Sequence, residues 1–314
     1  MRLPTPLEAA PAGLAAGREL LLKREDGHEL GAFKWRGALP ALEAYRGRGA
    51  EGVVTASTGN HGAATAWASE RTGVRAVVFV PEEASASKLE LLRRLGAEVR
   101  PAGADLDEAK DHARAYADTA GLPFFEDGAE PAQFDGYAAV GREIVEQLGV
   151  APALTVVPVG NGALLIGVAR GLHGGRMASL RARPSRPLAH GALGVVPKEA
   201  PVMALSVAAG RPVDCDRMST FADGLAVRVA VPLAVEELVR LGAPLVEVSE
   251  RAIARAVGAF AAAGLRVEGS AAAALAALES VDAPVGPIVL VVTGGNIDDE
   301  LHRRAVERPE SFPD

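Results

Sequence analysis

A chain of 314 residues with 33 Lys and Arg against 40 Asp and Glu carries a net charge of −7. That balance argues against a nucleic-acid partner and against an anionic membrane surface. With 49% hydrophobic and 23% charged residues, it has the make-up of a globular protein filling one large domain or two domains around one cleft.

No run approaches the roughly 20 apolar residues of a bilayer span. The N-terminus Met1-Arg2-Leu3-Pro4-Thr5-Pro6 lacks the apolar core of a signal peptide. Cys215 is the single cysteine, which leaves no intramolecular disulfide or Cys-cluster metal site. A reducing, cytoplasmic setting is the expectation. The six histidines show no HExxH or HxH spacing, so no metal is expected.

Glu19–Arg24 reads as a strand, and Trp35–Tyr45 has helical spacing. Alternation follows: a strand at Val53–Ala56, a helix at Ala63–Arg71, a strand at Val74–Val80 and a helix at Ser85–Leu95. A short strand at Ala97–Arg100, a helix at Asp105–Ala120, a strand at Pro123–Phe125 and a helix at Gly136–Leu148 complete the series. A second series opens with the strand Leu154–Val159 and the helix Ala163–Leu172. An exposed arginine- and proline-rich connection is expected over 173–190. A strand near Leu193–Val196 and a region around Met218–Val229 come next, then helices at Ser249–Ala263 and Ser270–Leu278 and a strand at Pro287–Val292. Strands alternating with helices imply parallel sheets covered by helices on both faces, with the loops at strand C-termini gathered at a crevice.

Lys34 is one of five lysines in a chain otherwise rich in arginine, and it lies in Gly31-Ala32-Phe33-Lys34-Trp35-Arg36-Gly37-Ala38. A lysine can form a Schiff base and arginine cannot, because the guanidinium stays protonated. Taken alone, Lys34 reads equally as a solvated side chain at a strand–helix junction. Ser57-Thr58-Gly59-Asn60-His61-Gly62 follows a strand and opens a helix, a setting that suits a carboxylate or a plain N-cap. Gly160-Asn161-Gly162 has the same setting with bare backbone, as a phosphate cradle or an ordinary turn. It is not GxGxxG, which disfavours a nicotinamide cofactor. Thr293-Gly294-Gly295-Asn296 ends an apolar strand and exposes a hydroxyl; Asp223-Gly224 and Glu268-Gly269-Ser270 read as capped turns.

In this order the motifs resemble those of the fold-type II pyridoxal-phosphate enzymes, the superfamily of threonine and serine dehydratases, serine racemase, threonine synthase and cysteine synthase. The resemblance runs from about Leu22 to Asn296. It implies an α/β fold of two open parallel-sheet, three-layer domains, with pyridoxal 5'-phosphate in the cleft between them. The large domain would comprise residues 1–41 and 146–314, and the small inserted domain 42–145. Lys34 would carry the cofactor as a Schiff base beside Phe33 and later move the Cα proton. Asn60 would bond the cofactor's 3′-oxygen, and Ser57, Thr58, Gly59 and His61 would take the substrate carboxylate. Gly160, Asn161, Gly162, Ala163 and Leu164 would hold the phosphate. Thr293 would face the pyridine nitrogen and leave it unprotonated, which suits β-elimination better than transamination.

The implied activity is an ammonia-lyase that eliminates water from L-threonine or L-serine and releases a 2-oxo acid and ammonia. A threonine-synthase-like enzyme, an amino-acid racemase and a non-catalytic cofactor-binding protein are the alternatives. Trp35-Arg36-Gly37-Ala38 resembles the dehydratase and racemase branch, whereas Val-Pro-Val-Gly-Asn-Gly, Gly136-Tyr137 and Thr293 lean toward threonine synthases. The family's serine before the Phe-Lys pair is Ala32 here. Thr58 takes the place of the serine that serves racemases as second acid/base, which weakens racemisation. Val195-Val196-Pro197 lacks the glutamate of the family's cation site. Feedback control through a regulatory domain is not expected, and a homodimer is expected by resemblance.

Overall fold

The computed structural model describes residues 4–174, 191–216, 218–282 and 284–314. Its elements begin with β1 (Leu7–Ala9), α1 (Ala12–Ala15), β2 (Leu20–Arg24), α2 (Trp35–Gly47), β3 (Gly52–Ala56) and α3 (Asn60–Thr72). There follow β4 (Arg75–Val80), α4 (Ala86–Arg94), β5 (Glu98–Pro101), α5 (Leu106–Ala120) and α6 (Pro131–Leu148). Next come β6 (Leu154–Pro158), α7 (Ala163–Leu172), β7 (Ala192–Pro197), α8 (Val202–Ala209) and α9 (Pro232–Leu241). The series ends with β8 (Leu245–Val248), α10 (Glu250–Ala262), α11 (Gly269–Ala276), β9 (Ile288–Val292) and α12 (Asp299–Glu307).

The chain divides into two compact units, one of Met1–Phe33 with Tyr137–Asp314 and the other of Lys34–Gly136. The first unit holds a six-stranded sheet in the order β1-β2-β9-β6-β7-β8, in which β1 runs antiparallel to β2 and the other neighbours are parallel. Every residue of β6, β7 and β9 is buried. Strands buried on both faces read as continuous apolar runs instead of alternating ones. The core on this sheet joins Leu22, Val156, Val195 and Leu290 to Ile253, Phe260 and the alanines of α11. Gly141 in α6 and Gly171 in α7 lie against each other's backbone, where a Cβ on either would collide with a carbonyl.

A buried charge network ties the N-terminal segment into this unit. The fully buried Lys23 on β2 donates to Thr5 O at 2.7 Å, Glu143 Oε2 at 2.6 Å and Gln147 Oε1 at 2.9 Å. Thr5 in turn donates its hydroxyl to the buried Glu25 at 2.7 Å. Glu143 and Gln147 lie one turn apart on α6, so both reach the same ammonium.

The second unit is a parallel sheet β3-β4-β5 with its own two cores. Ala76, Val78 and Val80 pack on one face with Ala63 and Leu92, and Val54, Val77 and Phe79 on the other with Ala113 and Ala117. The expected strand Pro123–Phe125 is reduced to a single bridge of Phe124 to Val54, closed by Val54 N to Pro123 O at 2.9 Å and Phe125 N to Val54 O at 2.7 Å. Pro123 has no N–H to extend the ladder. The helix expected from Gly136 starts at Pro131 instead, and Gly136 sits inside it, where its bare Cα passes close to the Arg36 carbonyl.

Six elements had no sequence counterpart: β1, α1, α8, α9, β8 and α12. The connection expected over 173–190 lies outside the described residues from 175 onward. Among the described residues no helix is long and apolar enough to cross a membrane.

Candidate active site

In the first unit, the carboxyl ends of the parallel strands carry the glycine loops. β6 runs into Gly160-Asn161-Gly162, and Gly162 takes φ +92 to turn the chain into α7. No side chain caps α7 and its first turn holds no acidic residue, so its leading N–H groups and the positive end of the helix remain available to an anion. A Cβ on Gly160 would lie 2.6 Å from Gly224 O, which packs the loop closely against the turn at Asp223–Leu225. This is a cradle of bare backbone, and it fits a phosphate group. Ala163 and Leu164, the first residues of α7, are buried.

Thr293 ends β9 and is 2% exposed; its hydroxyl donates to Glu268 Oε1 at 3.0 Å. Glu268 precedes α11, is equally buried, and donates its own N–H to Gly294 O at 3.0 Å. The sequence pointed to Thr293 but read Glu268 only as part of a cap. The segment before Lys34 is stitched to the same loop. Ala32 bridges Gly294, Phe33 N donates to Thr293 O at 3.0 Å, and Gly295 N donates to Gly31 O at 2.9 Å. Gly31 has φ +64, and a Cβ there would meet Asn296 Oδ1 at 2.5 Å, so this crossing needs glycine.

In the second unit, Lys34 stands at the N-terminal boundary of α2, and its side chain is 13% exposed. Its Nζ donates to Asp127 Oδ2 at 2.5 Å. Asp127 follows the Phe124 bridge and is held by Gln133, whose Nε2 donates to Oδ1 at 3.0 Å while its Oε1 accepts Gly128 N at 2.9 Å. Burial pushes the Asp127 pKa up, but the Lys34 ammonium, His61 and these hydrogen bonds overcome that and hold the carboxyl well below the usual carboxylate range. Asp127 has no local signature, because Glu126-Asp127-Gly128 has the form of any polar turn.

Ser57, Thr58 and Gly59 form the loop between β3 and α3, with Gly59 N donating to Ser57 Oγ at 3.2 Å. Gly62 is held tightly beneath it: a Cβ there would stand 2.5 Å from Ser57 O. Asn60 begins α3, which has neither a side-chain cap nor an acidic residue in its first turn. A helix start of this kind favours a carboxylate. The His61 ring turns inward, away from a loop role. Its Nε2 lies 3.1 Å from Thr55 Oγ1 and 3.3 Å from Phe125 O, its Nδ1 3.9 Å from Asp127 Oδ1, and its plane packs on Phe125. Burial pushes its pKa down, Asp127 pulls it up and Lys34 opposes Asp127, with a net lowering that leaves the imidazole neutral near pH 7. What His61 offers the loop is its backbone.

Comparison with known proteins adds an independent line. The model of the family described as pyridoxal-phosphate dependent enzyme matches residues 2–294. The L-threonine ammonia-lyase of Thermotoga maritima is 32% identical over 298 residues, covering 93% of this chain and 71% of the relative. Among solved structures, the processed form of threonine deaminase isoform 2 from Solanum lycopersicum superposes with a TM-score of 0.84 at 28% identity, over 96% of this chain and 87% of that one. Maize serine racemase superposes with 0.82 at 27% identity, over 98% and 92%.

Proposed function

Because the chain belongs to the pyridoxal-phosphate-dependent enzyme family, we propose that it is an ammonia-lyase acting on L-threonine or L-serine, which it dehydrates and deaminates to a 2-oxo acid. The observation that carries the reading is the Lys34 amine, held by a half-buried carboxylate immediately after a segment fixed to the Thr293 loop. Bound at Lys34, pyridoxal 5'-phosphate supplies the electron sink that makes the substrate Cα proton acidic.

The remaining roles fall to this chain's own residues. The N–H groups from Gly160 through Leu164 bind the phosphate, with the α7 dipole adding attraction. The Thr293 hydroxyl, whose hydrogen Glu268 Oε1 accepts here, would turn that hydrogen to the pyridine nitrogen when the cofactor is bound. Phe33 and Asn60 flank the ring, Asn60 bonding its 3′-oxygen. The backbone and hydroxyls of Ser57 and Thr58, with Gly59 and the amide of His61 at the start of α3, orient the substrate carboxylate. Lys34 Nζ would take the Cα proton, and the Cα–H and Cβ–O bonds together give up water, one proton returning to the departing β-hydroxyl.

One feature favours elimination over racemisation: Thr58 stands where racemases of this family place a serine, and a β-branched hydroxyl has fewer rotamers with which to reach Cα. We place the enzyme in the cytoplasm as a homodimer, an assembly that sedimentation tests directly.

The function test is a screen of amino acids against purified protein loaded with pyridoxal 5'-phosphate, following the visible band and 2-oxo acid. L-Threonine or L-serine is expected to perturb the band and yield oxo acid, and Lys34→Ala to abolish both. Enantiomer without oxo acid would favour the racemase, and phosphate release from O-phosphohomoserine the synthase. A band that no amino acid perturbs would leave a binding protein.

A further inference from the structure

An ammonium cannot act as nucleophile or base, so Lys34 must shed a proton before it works, and the cluster around it in the second unit has a place for that proton. A backbone carbonyl only accepts hydrogen bonds. His61 Nε2 lies 3.3 Å from Phe125 O and 3.1 Å from Thr55 Oγ1, which can accept too, so the neutral tautomer that serves both contacts has its hydrogen on Nε2 and a lone pair on Nδ1. That lone pair lies 3.9 Å from Asp127 Oδ1, while Asp127 Oδ2 receives the Lys34 ammonium at 2.5 Å. The carboxylate thus has a cation on one side and a vacant proton-accepting nitrogen on the other.

We propose that His61 is the proton shelf of Lys34: the proton lost by Nζ is taken up at His61 Nδ1, with Asp127 the shared counter-ion of both. One Nζ–H bond breaks, one Nδ1–H bond forms, and Asp127 begins and ends as a carboxylate. The charge of the three groups is unchanged, which matters because a buried carboxylate stripped of its cation is costly. Asp127 touches the reacting amine; His61 acts through it and is a positioning residue.

Three charged groups face His61: Asp127 from the loop after Phe125, Lys34 from the start of α2, and Lys110 from α5. Lys110 is itself paired with Glu126 at 3.7 Å. While Lys34 is charged, its field and burial together keep the ring neutral. Once Lys34 is neutral, Asp127 is left attracting a proton to Nδ1, opposed only by burial and Lys110. The purpose of the shelf rests on Lys34 being the Schiff-base lysine; its geometry does not.

The test uses full-length protein with 15N-labelled histidine, without and with pyridoxal 5'-phosphate. In the wild type without cofactor, His61 is expected to be neutral and protonated on Nε2. Lys34→Met mimics the uncharged amine, and its His61 midpoint should rise by roughly 1–3 pH units. Adding Asp127→Asn should cancel the rise. A midpoint unmoved within about 0.3 unit, or an imidazolium already present in the wild type, overturns the proposal. If Lys34→Met fails to fold, the rate at which pyridoxal 5'-phosphate generates the visible band decides. His61→Gln should slow capture about tenfold or more near neutral pH and approach wild type in alkali, as expected for loss of a proton acceptor. Equal rates at every pH overturn the proposal. If wild-type protein forms no band, the Schiff-base reading of Lys34 fails, while the nitrogen titration still decides whether His61 and Lys34 share a proton.

Discussion

Gly160→Ala is the most direct probe of the phosphate cradle. The added methyl carbon would stand 2.6 Å from Gly224 O, about 0.8 Å short of the 3.4 Å at which ordinary contact begins. Gly224 is itself closely packed, since a Cβ on it would stand 2.6 Å from Ser270 Oγ. Ser270 is buried in α11, so strain passes from loop to turn to helix. Overpacking of this kind costs about 1–3 kcal/mol. If the cradle relaxes by turning its amides off the phosphate, affinity falls by roughly 5- to 150-fold at about 1.4 kcal/mol per tenfold. The assay is titration of the visible band with pyridoxal 5'-phosphate, paired with thermal unfolding of the cofactor-free protein. Gly59→Ala is the internal control, because a Cβ there meets nothing within 4 Å and its φ of −111 suits any residue. A Gly160→Ala affinity within about twofold of wild type, with unchanged unfolding, would refute the closely packed cradle.

Lys23→Met should destabilise the first unit by about 3–5 kcal/mol in urea, because it removes the buried ammonium that Thr5 O, Glu143 and Gln147 share. Lys23→Met with Glu143→Leu should recover part of that loss, and no recovery would mean the network is not electrostatic. His61 has a folded pKa below its unfolded one, so as pH falls through about 6.5 the unfolded chain takes up a proton that the folded chain refuses, and stability declines toward acid. His61→Gln should therefore lose stability less steeply between about pH 6.5 and 5, by up to about 1.4 kcal/mol per unit. The Asp127 contribution has the opposite origin: it is present above about pH 3.9 and fades as pH falls toward its depressed folded value. Thr293→Val leaves the buried Glu268 oxygen without its donor and should cost about 1–3 kcal/mol of stability along with turnover, whereas Thr293→Ser should restore both.

Local rules read most of the fold. β6, β7 and β9 are apolar runs bounded by glycine and proline, and α7 and α5 begin and end at the residues their punctuation marks. What escaped had weak local contrast. α8 and α9 follow apolar and proline-containing stretches whose composition resembles the strands beside them, and α12 is mostly charged, with only Leu301, Ala305 and Val306 apolar. β8 is short and only partly buried. Pro123–Phe125 has strand composition, yet tertiary pairing supplies only one bridge.

The candidate site divides along the same line. Gly31, Gly160 and Gly162 announce themselves because glycine is required wherever backbone turns left-handed or passes close to another chain segment. Asp127 is 93 residues from Lys34, and its position depends on the Phe124 bridge and the Gln133 clamp, neither of which has a sequence signature. The two lysines of the N-terminal region make the contrast concrete. Lys23 lies in an apolar strand and reads as part of it, yet its ammonium donates to a carbonyl, an amide and a carboxylate, and the carboxylate and carbonyl are tied to one another through Thr5 and Gln147. Lys34 sits at a helix boundary against a carboxylate that is also within 3.9 Å of a neutral imidazole. When Lys34 gives up its charge, Asp127 can keep a cation by drawing a proton to His61, so the cost that locks Lys23 in place does not apply. The proposed difference in reactivity turns on whether an imidazole stands beside the counter-ion, a property of contacts between distant residues that composition and periodicity do not encode.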